Sequence, residues 1–372
     1  MQIEIYDITI NGARVQISLA AVCDSFSSLL WDVQYYGCGN FEVYIAANAR
    51  NIEIFQTGRI VGRDDEKQHY GIIESVTLET DAENGDYLTV TGRFLMSLLS
   101  RRIIYPTLSF SALTSYADMV RLAVYRNCMP SDNRLIPGLR HGNTSGDCWN
   151  QKSRLQVSYE NLMEWIFKVC EMIGGTANIR LQETSAGSGV YTMMLDLSQG
   201  TDRSILQEEN AHIVFSNSYC NLLTFGYSMD LSAQKNVAYV LGCGEGAERK
   251  RTVCYRGSEP ALLNRYEIYV DAKDVSDETQ KNGETVPISD DDYLGLLMEK
   301  GAENLVPITE ISESTIAADN RQYQYNKDYF VGDYVTVKHE RFGLIQPKIQ
   351  LIGMIESYDQ NGRTLTPTFK GG

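Results

Sequence analysis

Cysteine and histidine are the residues with which this chain could most readily do chemistry, and their spacing argues against most of it. The eight cysteines, at 23, 38, 128, 148, 170, 220, 243 and 254, form no CxxC pair and no regular disulfide framework. The four histidines, at 69, 141, 212 and 339, stand alone, with no HExxH and no Cys/His cluster, so no zinc site is expected. One nucleophilic arrangement can be written. Cys148, in Asp147-Cys148-Trp149, would be the nucleophile of a cell-wall thiol hydrolase, with His212 or His339 as its base. Neither histidine carries a recognisable motif, and Cys148 falls in a polar stretch rather than at a clear helix start. The expected role of Cys148 and Trp149 is therefore to anchor a loop, and the thiols are expected to be reduced.

Other chemistries fare no better. Gly242-Cys243-Gly244-Glu245-Gly246 follows the strand-like VAYVL, but a dinucleotide turn needs a helix next, whose first amides meet the pyrophosphate. A charged turn, AERKR, and another strand follow instead, so a Gly-rich hairpin is expected. Asp290, Asp291 and Asp292 lack the alternating oxygen ligands and the glycine of a calcium loop. Acids favoured at a helix N-terminus account for them. No pair of carboxylates is singled out for glycoside hydrolysis. Three tryptophans give little support to an aromatic sugar platform, although 23 tyrosines could supply one. No catalytic residue, cofactor or metal is expected.

The elements that position these residues belong to an ordinary folded protein. The 372 residues are 43% hydrophobic and 22% charged, which excludes general disorder and allows two to four domains. The net charge of −15 excludes a basic grip on nucleic acid as the main activity. No apolar run approaches a membrane span, and MQIEIYDITING lacks the basic and apolar segments of a signal peptide. A soluble protein made in the cytoplasm is expected.

The first hundred residues alternate in short runs. Ile8 and Ile10, then Val15 and Ile17, flank Asn11-Gly12, a hairpin signal. Trp31, Val33 and Tyr35, then Phe41, Val43 and Ile45, alternate with polar residues around a Gly37–Asn40 turn. Strands are also expected near Ile52–Ile54, Ile72–Leu78 and Tyr87–Thr91, with a turn at Asn84-Gly85 and a short helix over Phe94–Leu99. At least six strands predict an antiparallel barrel or sandwich. The period then becomes helical. Met119, Val120, Ala123 and Val124 follow a Ser115/Asp118 capping box, and Leu162, Trp165, Ile166, Val169 and Ile173 lie on one face of a helix that starts near Ser158 and stops at Gly174-Gly175. Residues 127–157 between these helices read as a long loop. A hairpin, 176–181 with 190–197, completes the middle region. Strands return at 212–215, 221–229, 236–241 and 251–256. A helix capped by Ser289 and Asp292 interrupts them, and they resume at 334–338, 348–358 and 363–369.

One repeat stands out. Ile73–Thr91 reads IESVTLETDAENGDYLTVT and Ile355–Thr368 reads IESYDQNGRTLTPT, sharing Ile-Glu-Ser, Asn-Gly, Leu-Thr and a final Thr in one order. This predicts a duplicated β domain whose second copy is split. The fold class expected is α+β and β-dominated, with two related antiparallel β-barrels. These are a first barrel at 1–105, an α/β middle domain at 106–205 with its loop at 127–157, a second barrel at 206–255 and 320–372, and an inserted α/β segment at 256–319. Charge differs between them. The first barrel has 8 basic and 14 acidic residues (−6), the middle domain 9 and 9, the second barrel 11 and 10 (+1), and the insertion 5 and 15 (−10).

Four stretches together resemble the tail-hub proteins of siphophages and prophages, a family related to the baseplate hub of contractile-tailed phages. They are Gly71–Pro106, Ile213–Val253, Arg265–Val275 (RYEIYVDAKDV) and Asp328–Gly372, in the family's order. The resemblance implies a homotrimer whose two barrels per chain form a ring of six similar parts. Such a ring would cap the tail tube and adapt sixfold to threefold symmetry. It implies as partners the tail tube or distal tail protein and a tip spike or fibre, with a tape-measure protein and DNA passing through the ring. It implies a place at the virion tail tip, no membrane insertion and no enzymatic activity. A tail-tip peptidoglycan hydrolase using Cys148 and His212, or a host-glycan binding module, is the alternative. The acidic segments would line the DNA path or face solvent.

Overall fold

The computed structural model of the chain describes residues 1–11, 14–81, 85–130, 132–281, 284–317 and 322–371. Gly12 and Asn84, of the two expected Asn-Gly turns, lie outside these residues. The first unit contains β1 (Ile3–Asn11), β2 (Arg14–Cys23), β3 (Ser28–Gln34), β4 (Asn40–Ala46), helix α1 (Ala49–Ile54), β5 (Ile60–Arg63), β6 (Gly71–Asp81) and β7 (Gly85–Phe94). Alternation works here as read. Leu29, Trp31 and Val33 on β3 and Phe41, Val43 and Ile45 on β4 turn inward, and side chains from all seven strands share one core. Close packing explains Gly92: a Cβ there would lie 1.9 Å from the Ile72 carbonyl oxygen and against the Phe41 ring. Residues 52–54, expected as a strand, belong to α1, because the Asn48 side chain accepts the Asn51 N–H and starts a helix. A 3-10 helix, Leu95–Arg101, closes the unit.

The middle region holds β8 (Leu108–Ser115), α2 (Tyr116–Cys128), β9 (Leu139–Thr144), β10 (Lys152–Val157), α3 (Leu162–Ile173), β11 (Gly175–Glu183) and β12 (Val190–Gln199). The capping box forms: Ser115 Oγ accepts the Asp118 N–H at 3.1 Å and donates to its carboxylate at 2.7 Å. α3 begins at Leu162 rather than Ser158, since Asn161 caps it, and Gly174 ends it at φ 74°. Residues 127–157 are not one long loop. β9 pairs in parallel with β12, and β10 pairs antiparallel with β8. β12 also pairs with β2, so the middle region extends the first unit's sheet. Both helices pack on that sheet in one apolar cluster.

The chain continues through β13 (Val214–Ser216), β14 (Leu222–Asp230), β15 (Val237–Leu241), β16 (Arg251–Tyr255), β17 (Glu267–Asp271), β18 (Glu278–Lys281), β19 (Glu284–Pro287), α4 (Asp290–Ala302), β20 (Thr309–Ile316), β21 (Tyr334–His339), β22 (Leu344–Asp359) and β23 (Gly362–Gly371). β13, β14 and β20–β23 surround a core of Phe215, Leu222, Val337, Leu351, Leu365 and Phe369. β15 and β16, expected in the second barrel, instead form a three-stranded sheet with β17. α4 packs on that sheet through Tyr293 and Leu297 against Ala238, Val240 and Cys254. The Gly242–Gly246 turn joins β15 to β16 as a hairpin, and the three aspartates occupy the first turn of α4 behind the Ser289 cap.

The protein is α+β and β-dominated, and its two units are related strand by strand. Neighbours run β5-β6-β7-β4-β3 in the first and β21-β22-β23-β20-β14 in the second. Registers agree as well. Leu88 faces Ile45 where Leu365 faces Ile316, and Thr91 faces Glu42 where Thr368 faces Glu313. Both hairpins bulge at the same place, between Ile73 and Ser75 and between Leu351 and Gly353. The shared Leu-Thr-x-Thr therefore marks equivalent positions. The shared Ile-Glu-Ser does not, because the ladder puts Leu351, not Ile355, in the place of Ile73.

Candidate functional site: a buried strand junction

The structure gives Cys148 a packing environment. It is buried in a 3-10 turn, Asp147–Asn150, and its N–H donates to Gln199 Oε1 at 3.2 Å. Burial pushes its thiol up to about 11, away from the thiolate that a nucleophile needs. The neighbouring Trp149 is fully buried and donates from Nε1 to the Ser198 carbonyl at 2.9 Å. His212 is exposed just before β13, and its Nε2 lies 2.7 Å from the Gln207 carbonyl oxygen. His339 ends β21. Cys148 bonds to Gln199 and His212 to Gln207, and neither of these contacts links the two. All eight cysteines are free. Among the described residues no group of three or more His, Cys, Asp or Glu could hold a metal ion.

The most elaborate polar site lies where the two units meet. β22 is 16 residues long and changes partner midway. Its first half pairs with β21, as far as Gln350 opposite Tyr334. From Gly353 to Tyr358 it pairs instead with β3, so that Glu356 faces Trp31 and Met354 faces Val33. One 16-stranded sheet thus runs through both units. Arg63, at the end of β5, is buried at this junction. Its guanidinium meets Glu356 Oε1 at 2.8 Å, both Asp65 carboxylate oxygens at 2.9 and 2.8 Å, and Tyr358 Oη at 3.0 Å. It also stacks over Trp31, 5.6 Å from the ring centroid. Glu356, likewise buried, accepts a second arginine, Arg363, whose Nε lies 2.9 Å away.

Electrostatics favour the charged forms of Arg63 and Asp65. Burial works against the charge of Arg63, but Asp65 and Glu356 outweigh it and hold the guanidinium above its ordinary value. Burial likewise opposes the Asp65 carboxylate, and Arg63 more than offsets that, leaving it below its usual range. The middle region braces the same junction. Tyr35 Oη donates to the Gly174 carbonyl at 3.2 Å and accepts the Gly200 N–H at 2.9 Å. Asp333 accepts the Thr201 N–H at 2.7 Å and Arg203 Nε at 2.9 Å. Together these contacts fix the geometry of two units and contain no nucleophile–base pair. Sequence reading missed the cluster because its members lie 293 positions apart and carry no local motif.

Residues 3–369 match the family model described as Siphovirus ReqiPepy6 Gp37-like protein. The chain belongs to this family. No curated protein sequence matches it. The fold of the chain is that of solved tail proteins. It is similar to the tail protein from Neisseria meningitidis MC58, with a TM-score of 0.61 at 12% identity over 99% of this chain and 96% of that one. The 43 kDa tail protein of prophage MuSo2 from Shewanella oneidensis gives 0.55 at 12% identity, covering 99% and 98%. Prophage tail protein gp18 from Listeria monocytogenes EGD-e gives 0.55 at 11%, covering 100% and 95%. The resemblance to siphophage and prophage tail proteins read from the sequence is borne out. Such coverage means that the shared fold extends over both units, the middle region and the insertion.

Proposed function

We propose that this Gp37-like protein is a non-enzymatic structural hub at the tip of a phage or prophage tail. Three chains, each with two related units, form a ring of six similar parts that caps the tail tube. Such a ring matches a sixfold tube on one side and offers threefold symmetry to a spike or fibre on the other, with the tape-measure protein and DNA passing through it. The observation that carries this reading is the strand-for-strand correspondence of the two units, joined rigidly by the β3–β22 ladder. A duplicated unit in a threefold assembly is a direct way to present six equivalent surfaces. The buried, protonated Cys148 thiol supports the non-enzymatic part of the reading. The acidic stretch 256–319, which includes β17 and α4 and is tied to β10 by Ser153 and Glu299, either lines the DNA path or faces solvent.

Antibodies raised against the chain test its placement. Gold label at the tail end remote from the capsid is expected, and label along the tube or at the capsid would overturn it. A zymogram with purified peptidoglycan should stay blank. Clearing that Cys148→Ala abolished would make the protein a wall hydrolase instead.

A further inference from the structure

Two apolar features of the chain lie uncovered, and they are complementary. The first is a finger between β16 and β17. Leu262 and Leu263, in a 3-10 turn over Leu262–Asn264, are 92% and 94% exposed, the highest values for large hydrophobic side chains among the described residues. The turn is tied down. Arg265 reaches across its base and donates from Nη1 to Glu259 Oε1 at 3.1 Å and the Pro260 carbonyl at 3.2 Å, and from Nη2 to Tyr239 Oη at 2.8 Å. Asn236 Nδ2 donates to the Asn264 carbonyl at 2.7 Å. Leu262 has φ 53°, a left-handed conformation uncommon outside glycine, and such strain persists only where the surroundings impose it. The two leucines are therefore held out into solvent, not frayed into it.

The second feature is a groove of about 620 Å³ between the β1–β2 hairpin, the 3-10 helix Leu95–Arg101 and residues 135–137. Ile8, Ile10, Val15, Leu135, Pro137 and Met193 line it, and Ile10 is 59% exposed. Arg59, Arg101 and Arg102 border the same groove. Arg59 meets Asp7 at 3.5 Å, whereas Arg101 and Arg102 form no ion pair among the described residues. Arg102 donates instead to the backbone carbonyls of Arg134 and Arg101, at 2.9 and 3.0 Å, which fixes the guanidinium without neutralising it. In a chain of net charge −15 this is an uncompensated basic patch beside an apolar floor. It fits an occupant that carries apolar side chains next to carboxylates.

The finger has that chemistry. Beside its leucines, Glu259 keeps 61% of its side chain exposed, and the finger belongs to the 256–319 segment, whose charge is −10. Within one chain the two features do not meet, because both leucines and Ile10 stay exposed. A second copy supplies the match. We infer that the Leu262–Leu263 finger of one copy docks in the arginine-bordered groove of the next, with Glu259 towards Arg101 and Arg102. Each copy gives one finger and receives one, a head-to-tail contact that can close a ring. This rests on the trimeric reading above and adds a side-chain lock to it.

The test uses full-length protein in which the exposed Cys220 is replaced by serine. Leu263→Cys with Ile10→Cys should give covalent dimers and trimers with a short bis-maleimide, and neither single variant should give a trimer. Leu262→Ser with Leu263→Ser should weaken trimer formation at least about tenfold and leave the thermal transition of the single chain unchanged, since neither leucine packs within it. Arg101→Glu with Arg102→Glu should weaken the trimer in the same direction, most at low salt. A trimer that fails to cross-link at 263/10, or that tolerates both serines, overturns the docking and leaves the ring standing. Loss of flotation with phosphatidylglycerol vesicles in the double-serine variant, with its trimer intact, would assign the finger to lipid instead. A chain that stays monomeric at every concentration, alone and with purified tail tube, overturns the ring and this lock with it.

Discussion

Replacing Arg63 by methionine asks how firmly the two units are held. The guanidinium is buried and donates to Glu356, Asp65 and Tyr358, so its loss leaves Glu356 buried with one cation fewer. Removing one partner of a buried ion pair destabilises by about 3–5 kcal/mol. Glu356 keeps Arg363, and Asp65 reaches solvent, so the lower end applies: about 3 kcal/mol. Guanidinium denaturation followed by tryptophan fluorescence is the direct assay, because Trp31 lies 5.6 Å from the guanidinium and reports on the junction itself. Replacing both Arg63 and Glu356 by methionine should recover at least half of the loss, since no buried carboxylate then lacks its partner and the site becomes apolar. If Arg63→Met lost less than about 1 kcal/mol, or the double variant lost the sum of both single changes, the cluster would not be what locks the junction.

Three further outcomes follow from single sites. With its thiol at about 11, Cys148 should resist iodoacetamide at pH 8 while exposed Cys220 reacts, as read by peptide mass; equal labelling would contradict the packing role. Burial, opposed by Lys300 and reinforced by Glu160, raises Glu303 to about 7 from its ordinary 4.5. The folded state therefore holds the extra proton across that window, and stability falls as pH rises through it. Glu303→Gln should flatten this fall and stabilise the protein at pH 8, by no more than about 1 kcal/mol because the side chain still borders solvent. A steeper fall in the variant would reverse the sign. Gly92→Ala must push a Cβ into the Ile72 carbonyl, so a loss of about 3 kcal/mol in a denaturant titration is expected, and a neutral result would refute the close approach.

What the sequence made legible was what local physics decides. Alternation at Trp31–Val33 and Phe41–Ile45, the Ser115 and Ser289 caps and the Gly174 stop all appear as read, since each depends only on near neighbours. The strands at 237–241 and 251–255 read as part of the second barrel but belong to the sheet with β17, because an unbroken apolar run such as VAYVL suits either sheet. β9, with the sequence LRHGNT, has no apolar alternation, because it joins the sheet mainly through backbone pairing with β12. The repeat pointed to the right architecture by partly mistaken residues. Its Leu-Thr-x-Thr is held in register by the β4 and β20 partners, whereas Ile-Glu-Ser sits four residues out of step across the two hairpins. Nothing local could have joined Arg63 to Glu356. Only the topology brings them together.

The central claim is that two related units per chain build a ring of six. Mass measurement in solution combined with averaged electron-microscope images of the assembled protein tests it most directly. The expected result is three chains per particle and a six-lobed ring seen along its axis. A compact single chain, or a particle whose lobes are not twice its chain count, would contradict it.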